Sequence, residues 1–296
     1  MRLRALAPAK VNLCLFVGGP RRDQRHELVT LLESISLADE LELSTGSGET
    51  AEDEVSCPGV GGPNLVSSVL AGLRERGWRA PPVKVDVRKR IPVAGGMGGG
   101  SADAAAALRL AAELEPLPAD AAGELAASLG ADVPSQLSPG AVIGTGAGEI
   151  VEGTAPLAPH AFLILPQRFG LSTADVYAEA DRIDSTRARE ELVRRRAALS
   201  RALAGGEPLP AALLVNDLEP AAFSLRPEIG EALEAAREAG CDHAMVCGSG
   251  PTVIGLYWGE DAERRAAQAS HTLRPRFPKA AGAVPVTAGF GLPLVA

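Results

Sequence analysis

The sequence predicts an α+β fold in two parts, and three observations carry that prediction. Segments with the period-two alternation of strands mix with segments of helical period, without strict strand–helix alternation. The chain has 296 residues, and domains usually run to roughly 100–200, so two are expected. The character of the sequence changes near residues 153 to 160, which divides it at 1–155 and 156–296. With 46% hydrophobic and 22% charged residues the chain can bury a real core, so its 33 glycines and 23 prolines read as tight turns rather than disorder.

Taken in order, Val11, Leu13, Leu15 and Val17 alternate with Asn12, Cys14 and Phe16 as a strand stopped by Gly18-Gly19-Pro20, and a second strand is expected at Glu40 to Leu43. Asn64 is a good N-cap for a helix with Leu65, Val69 and Leu73 on one face and Gly77 as its stop. Val83, Val85 and Val87 form a strand that runs directly into Ile91-Pro92. Six residues from Gly95 to Gly100, five of them glycine, precede Ser101-Ala102-Asp103 and an alanine-rich helix to about Glu115. A helix near Ala119 to Leu129 stops at Gly130. Pro134 is expected to push Val133 out of the helical region, which leaves Asp132 on a short turn. The second part reads as a strand at Phe162 to Leu165, helices near Thr173 to Arg182, Arg187 to Leu203 and Glu228 to Ala239, strands at Ala244 to Cys247 and Thr252 to Trp258, and a last helix and strand.

Composition excludes some functions. A net charge of -8 lacks the clustered basic excess of a nucleic-acid binder, and the run Arg187 to Arg201 also carries Glu190 and Glu191 and reads as a solvated helix face. No nucleic-acid partner is expected. Cys14, Cys57, Cys241 and Cys247 form no C-x-x-C pair and read as reduced, buried thiols. No stretch approaches ~18 unbroken apolar residues, so a cytoplasmic chain without a membrane partner is expected, monomeric or homodimeric.

The glycine run carries the most chemistry. Glycines let backbone N–H groups approach an anion, and the helix that follows adds its unsatisfied N–H groups and the positive end of its dipole. Phosphate is the natural guest. Neither G-x-x-x-x-G-K-[ST] nor a strict G-x-G-x-x-G occurs in the chain. Positive charge at the phosphates therefore comes from the helix end, a metal ion or a side chain elsewhere. Lys10, at the start of the first strand, is one candidate, although a lysine there also serves as an edge charge. Asp132 could accept a hydroxyl proton or simply form a turn. Gly248-Ser249-Gly250-Pro251-Thr252 could be a plain hairpin turn or a second loop that closes over a nucleotide.

Together these segments resemble the GHMP kinase superfamily, and within it the branch whose acceptor is a cytidine diphosphate-linked methylerythritol. Pro8-Ala9-Lys10-Val11-Asn12-Leu13, Arg25-His26-Glu27-Leu28, Ile91 to Ala105, Leu129-Gly130-Ala131-Asp132-Val133-Pro134 and Cys247 to Thr252 carry the resemblance over nearly the whole chain. It implies an N-terminal domain with a left-handed β-α-β type unit, a ferredoxin-like C-terminal domain, and a cleft between them. It also implies ATP and Mg2+ as cofactors, and phosphorylation of the acceptor's 2-hydroxyl in non-mevalonate isoprenoid synthesis. Pro92, Val93, Ala94, Gly95, Gly96, Met97, Gly98, Gly99, Gly100, Ser101 and Ala102 would bind the nucleotide, with Ser101 also near the metal. Asp132 would be the base, and Lys10 would hold it ionised and steady the moving phosphoryl group. Asn12, Arg25, His26 and Tyr177 would meet the acceptor.

Two departures fall on the acceptor side. Arg25 stands where the family usually has a tyrosine on cytosine, and a guanidinium plane can also stack on a base. Ser135-Gln136 follow Pro134 where aromatic residues are common. A GHMP kinase with another small acceptor thus stays open, as does a non-catalytic nucleotide-binding paralogue, against which the retained Lys10 and Asp132 argue.

Overall fold

In this computed structural model residues 1–45, 52–61 and 64–296 are described. Two long strands, β1 (Arg2–Pro20) and β2 (His26–Thr45), form an antiparallel hairpin that is the spine of the first half. Both exceed the strands expected from sequence. Leu3 and Ala5 are buried between the exposed Arg2 and Arg4, so the alternation begins at the N-terminus, and pairing with β2 carries the strand through Gly18-Gly19-Pro20. β2 conceals its period because Thr30, Glu33, Ser34 and Asp39 are buried within it.

The short β3 (Glu54–Ser56) leads through α1 (Leu65–Glu75) to β4 (Val83–Arg88), which lies parallel to it and antiparallel to β2. Asn64 caps α1 as expected, its side-chain oxygen accepting from Val66 N at 2.8 Å. After the glycine loop come α2 (Gly99–Leu114), α3 (Ala121–Leu129) and α4 (Val133–Gln136). Val133 therefore opens a helical turn instead of leaving the helical region. Pro134 sits in the first turn, where its missing N–H costs nothing, and burial of Val133 holds that geometry. β5 (Ala141–Thr145) pairs with the other end of β2, and β6 (Ile150–Gly153) pairs with β5. Neither was legible from the sequence, since Gly144 and the exposed Ile150 and Val151 blur their alternation.

The second sheet is wholly antiparallel. It is built from β7 (His160–Leu165), β8 (His243–Val246), β9 (Val253–Trp258) and β10 (Ala281–Ala283), in the order β10-β7-β9-β8. The helices of this half of the chain are α5 (Thr173–Arg182), α6 (Arg189–Ala204), α7 (Glu219–Leu225), α8 (Ile229–Glu238) and α9 (Ala262–Leu273), of which α6 packs on β1 and β2 of the first sheet. The last strand, β11 (Leu294–Val295), returns to pair with β1. The basic run at α6 is more than a solvated face, because Leu192, Leu199 and Leu203 are buried and the Arg187 and Arg195 guanidiniums lie 5.3 and 5.2 Å from the Phe16 ring. All four cysteines are free thiols, with Cys14 and Cys247 buried and Cys57 and Cys241 partly so. Among the described residues no helix is long and apolar enough to cross a membrane.

A buried pair joins the two sheets: His160 Nε2 on β7 lies 2.7 Å from Glu33 Oε2 on β2. Burial pulls the imidazole pKa down, but the bond to Glu33 outweighs it and holds the group above its usual range. A raised folded-state value means that the pair stabilises fully below the free histidine value, and that this contribution is lost as pH rises through the raised one. His160→Gln is thus expected to cost about 3 kcal/mol at pH 6, the loss for breaking a buried pair, and distinctly less at pH 9. Urea unfolding of both proteins at the two pH values measures this, and a pH-independent difference would contradict it.

Candidate active site

A cleft of about 960 Å³ opens where the two halves meet, lined from β1, the glycine loop, α4's approach, α5 and the β8–β9 turn. Lys10 and Asn12 lie two residues apart on one face of β1, so both side chains enter it. Irregularities in the β1–β2 register fall between Pro8 and Ala9 and between Asn12 and Cys14, on either side of this pair. Such bulges re-aim side chains and are common beside active sites.

Lys10 is buried and fully engaged. Its Nζ donates to Asn12 Oδ1 at 2.7 Å and to the Gly96 carbonyl at 3.0 Å, and lies 3.5 Å from Asp132 Oδ2. Asn12 is fixed in turn, donating to Thr30 Oγ1 at 2.9 Å, whose hydroxyl donates to the Cys14 carbonyl at 2.6 Å. The Asp132 side chain is 34% exposed, so its carboxylate meets the cleft as well as the lysine. Read from the residues alone Lys10 and Asp132 are separate candidates, joined only by the family resemblance; the fold puts them in contact.

Residues Pro92 to Ser101 all line the cleft. Ala102 does not: its side chain is fully buried and its N–H donates to the Gly98 carbonyl inside the helix. Gly96 and Gly98 have φ of +76° and +67°, and each also lacks room for a side chain. A Cβ on Gly96 would overlap the Cys247 carbonyl oxygen, and one on Gly98 would come within 2.9 Å of Lys10 Cγ. The loop is therefore a backbone surface at the N-terminus of α2, with Lys10 against one wall. Ser101, in the first turn of α2, faces the Gly130 loop that leads to Asp132. Among the described residues no group of three or more His, Cys, Asp or Glu could hold a metal ion unaided.

Beyond the loop, Cys57, Val60, Asn64 and Leu65 form one end of the cleft. Within the neighbouring stretch Glu54 to Asn64, residues 62 and 63 lie outside the described residues. Beneath this end, Lys89 is held between Asp39 and Asp103, with Asp103 Oδ2 at 2.6 Å. Asp39 also accepts from Ile91 N at 2.8 Å, which anchors the start of the loop. Burial, aided by the Asp39 charge, pushes the Asp103 carboxyl up to about 7 against the pull of Lys89. Sequence reasoning missed this trio, whose only signal was a lysine between an alternating strand and a glycine loop.

The opposite end holds His26, Tyr177, Asp181 and Arg25. His26 Nε2 lies 2.9 Å from Asp181 Oδ1, and its ring centre is 4.8 Å from that of Tyr177. Burial and the Asp132 charge both raise the Tyr177 pKa, keeping the phenol neutral. Asp181 was another omission, lost among the acidic residues of α5. Arg25 sits at the rim with its guanidinium on Asp23, at 3.0 and 2.9 Å, and 3.8 Å from Glu149. Gln136, read from sequence as an acceptor-side position, is almost completely buried and absent from the cleft wall. Gly248 and Ser249 complete the enclosure, so their segment is both a hairpin turn and a wall of the cleft.

The chain matches the family model for the GHMP kinases N terminal domain over residues 64–140 and that for GHMP kinases C terminal over residues 188–271. It is 40% identical over 276 residues to a 4-diphosphocytidyl-2-C-methyl-D-erythritol kinase of Kineococcus radiotolerans, covering 89% of this chain and 84% of the relative. Identity to the kinase of the same description from Nocardia farcinica is 42% over 267 residues, covering 86% of this chain and 85% of that one. Among solved structures, a crystal structure of 4-(cytidine 5'-diphospho)-2C-methyl-D-erythritol kinase superposes with a TM-score of 0.75 at 32% identity, over 95% of this chain and 98% of that one. A homoserine kinase from Cytophaga hutchinsonii shares the fold, with a TM-score of 0.74 at 19% identity.

Proposed function

This chain belongs to the 4-diphosphocytidyl-2-C-methyl-D-erythritol kinases of the GHMP superfamily, and from that premise we propose how its cleft transfers a phosphoryl group from ATP to the acceptor's 2-hydroxyl. The observation that carries the reading is the 3.5 Å approach of Lys10 Nζ to Asp132 Oδ2 at the edge of the glycine loop. Phosphoryl transfer needs mainly positioning and charge stabilisation, and a lysine, a carboxylate and a cradle of backbone N–H groups provide both.

In this mechanism the loop from Pro92 to Ser101 and the first turn of α2 hold the phosphates. Asp132 takes the proton of the acceptor hydroxyl as its oxygen bonds to the γ-phosphorus and the bond to ADP breaks. Lys10, fixed by Asn12 and the Gly96 carbonyl, faces the charge that spreads over the transferring group. The loop fits the phosphates because a Cβ at Gly96 or Gly98 would strike backbone or Lys10. Mg2+ bound with the nucleotide supplies further charge neutralisation, and Ser101 is the protein group suited to share it, since nucleotide-bound Mg2+ takes most of its ligands from phosphates and water. The nucleotide base lies toward Cys57, Val60 and Leu65. The cytosine of the acceptor lies toward His26 and Tyr177, with Asp181 orienting the imidazole, and Asn12 reaches the erythritol. Arg25, held by Asp23, borders the acceptor from the rim.

ADP release by the purified protein tests the reading when followed with the cytidyl-linked methylerythritol and, separately, with mevalonate and homoserine. Turnover is expected with the first alone, with a kcat/KM at least about 10³ times that for the others, because a site built to hydrogen-bond a group rejects analogues lacking it by roughly 10⁴–10⁵. Equal turnover of mevalonate or homoserine would overturn the assignment of the acceptor, and silence with all three would overturn the kinase itself.

A further inference from the structure

The stretch Asn216-Asp217-Leu218 lies between α6 and α7, just ahead of Glu219 at the start of α7, and no part of the mechanism above uses it. Residues 215 to 217 run beside β1 as an extra strand segment: Leu15 N donates to the Val215 carbonyl at 2.8 Å, and Asp217 N to the Leu15 carbonyl at 2.9 Å. From this rail the Asn216 side chain reaches across to the β8–β9 turn. Its Nδ2 donates to the Val246 carbonyl at 2.8 Å and to the Gly248 carbonyl at 2.7 Å, while its Oδ1 accepts from Leu218 N at 3.0 Å. Asn216 is only 6% exposed, and both amide protons and the amide oxygen are engaged.

The turn held in this way bears directly on the transfer machinery. Gly248 has a φ of +55°, and a Cβ there would come within 3.1 Å of Lys10 Nζ and 3.0 Å of both Asn12 Oδ1 and the Gly96 carbonyl. On its other side the Cys247 carbonyl and the Gly250 backbone leave no room for a side chain on Gly96 in the phosphate loop. The turn thus meets Lys10, Asn12 and the glycine loop through its backbone at Gly248 and Cys247 and through the buried Cys247 Sγ, which lies 3.8 Å from the Lys10 carbonyl and 3.6 Å from the Gly96 carbonyl. The backbone contacts leave little room for side-chain adjustment if the turn shifts.

We propose that Asn216 is a positioning residue for phosphoryl transfer, fixing the 247–251 turn and through it the relative placement of Lys10 and the phosphate loop. The role rests on the kinase reading above. Its neighbour Asp217 supplies the natural control, because its carboxylate accepts from Val17 N at 3.0 Å and from Arg187 Nη2 at 2.6 Å, holding the same segment to β1 without touching the turn.

The test compares Asn216→Asp and Asn216→Ser with Asp217→Asn in the full chain, with folded sites counted by equilibrium nucleotide binding. Asn216→Asp keeps the shape and the acceptor but removes both donors, and Asn216→Ser keeps one donor, so a failure of the first variant to fold leaves the second to decide. Per nucleotide-binding site, kcat is expected to fall about 100-fold in Asn216→Asp, the loss that a misplacement of about 1 Å produces, and less in Asn216→Ser. The acceptor KM stays within about twofold in both, because His26, Tyr177 and Asp181 stand on other elements. Asp217→Asn is expected to lower the melting temperature while leaving kcat per site unchanged. A kcat per site within threefold of wild type in Asn216→Ser, or an equal loss in Asp217→Asn, would overturn the role. A wild-type protein without turnover would instead remove the kinase reading on which it rests.

Discussion

Asp132→Asn is expected to lower kcat about 10³-fold while the KM for ATP stays within a factor of two, since a positioned general base contributes roughly 10²–10⁴-fold. The substitution keeps the shape of the side chain and removes its capacity to take a proton. It should leave the fold intact, because Asp132 occupies the N-cap position of α4 without a side-chain capping bond, and Ser135 Oγ binds the Asp132 carbonyl rather than its carboxylate. Steady-state ADP release together with a thermal melt checks both halves of the expectation. A variant that melts normally and keeps more than a tenth of wild-type kcat would show that the proton leaves by another route.

Lys10→Met is expected to cost a similar factor, about 10³ in kcat, at the upper end of the roughly 10²–10³ seen when one preorganised charge-stabilising donor is lost. Here the stability consequence differs. Methionine preserves the apolar stem, but it strands the buried Asn12 Oδ1 and leaves the Gly96 carbonyl with only the Cys247 thiol, at 3.6 Å. An orphaned buried acceptor costs about 1–3 kcal/mol, so this variant should also melt lower than wild type, unlike Asp132→Asn. The contrast in melting is as informative as the shared loss of rate. An unchanged melting temperature in Lys10→Met would mean that the ammonium does not hold the loop.

Much of this cleft was legible because backbone requirements leave marks in sequence. A run of glycines between an alternating strand and a helix has few physical explanations, and the structure accounts for two of these glycines by positive φ and close contact, Gly96 with backbone and Gly98 with the Lys10 stem. The α1 cap was likewise local, one side chain on one N–H, and could be read from Asn64 alone. What escaped depends on partners far apart in the chain. β2 reads poorly because its buried Glu33 and Asp39 are satisfied by His160 and Lys89, 127 and 50 residues away. Arg187 resembled a solvated charge until the fold set it against Asp217 and Phe16. Gln136 shows the opposite failure: its place in a motif suggested the acceptor pocket, whereas the short helix α4 turns it into the interior. Asn216 carried no visible signal, since an asparagine before an aspartate looks like a turn until the carbonyls it serves come into view.

The double-mutant cycle on kcat with Lys10→Met and Asp132→Asn tests the central claim most directly, that these two residues act as one unit over the glycine loop. If they do, the losses are strongly non-additive, as for other groups that work together in catalysis, and the double variant turns over within about tenfold of the slower single variant. If the two losses instead multiply, placing the double variant about 10⁶-fold below wild type, then Lys10 and Asp132 contribute independently and the 3.5 Å contact between them is not the basis of the transfer.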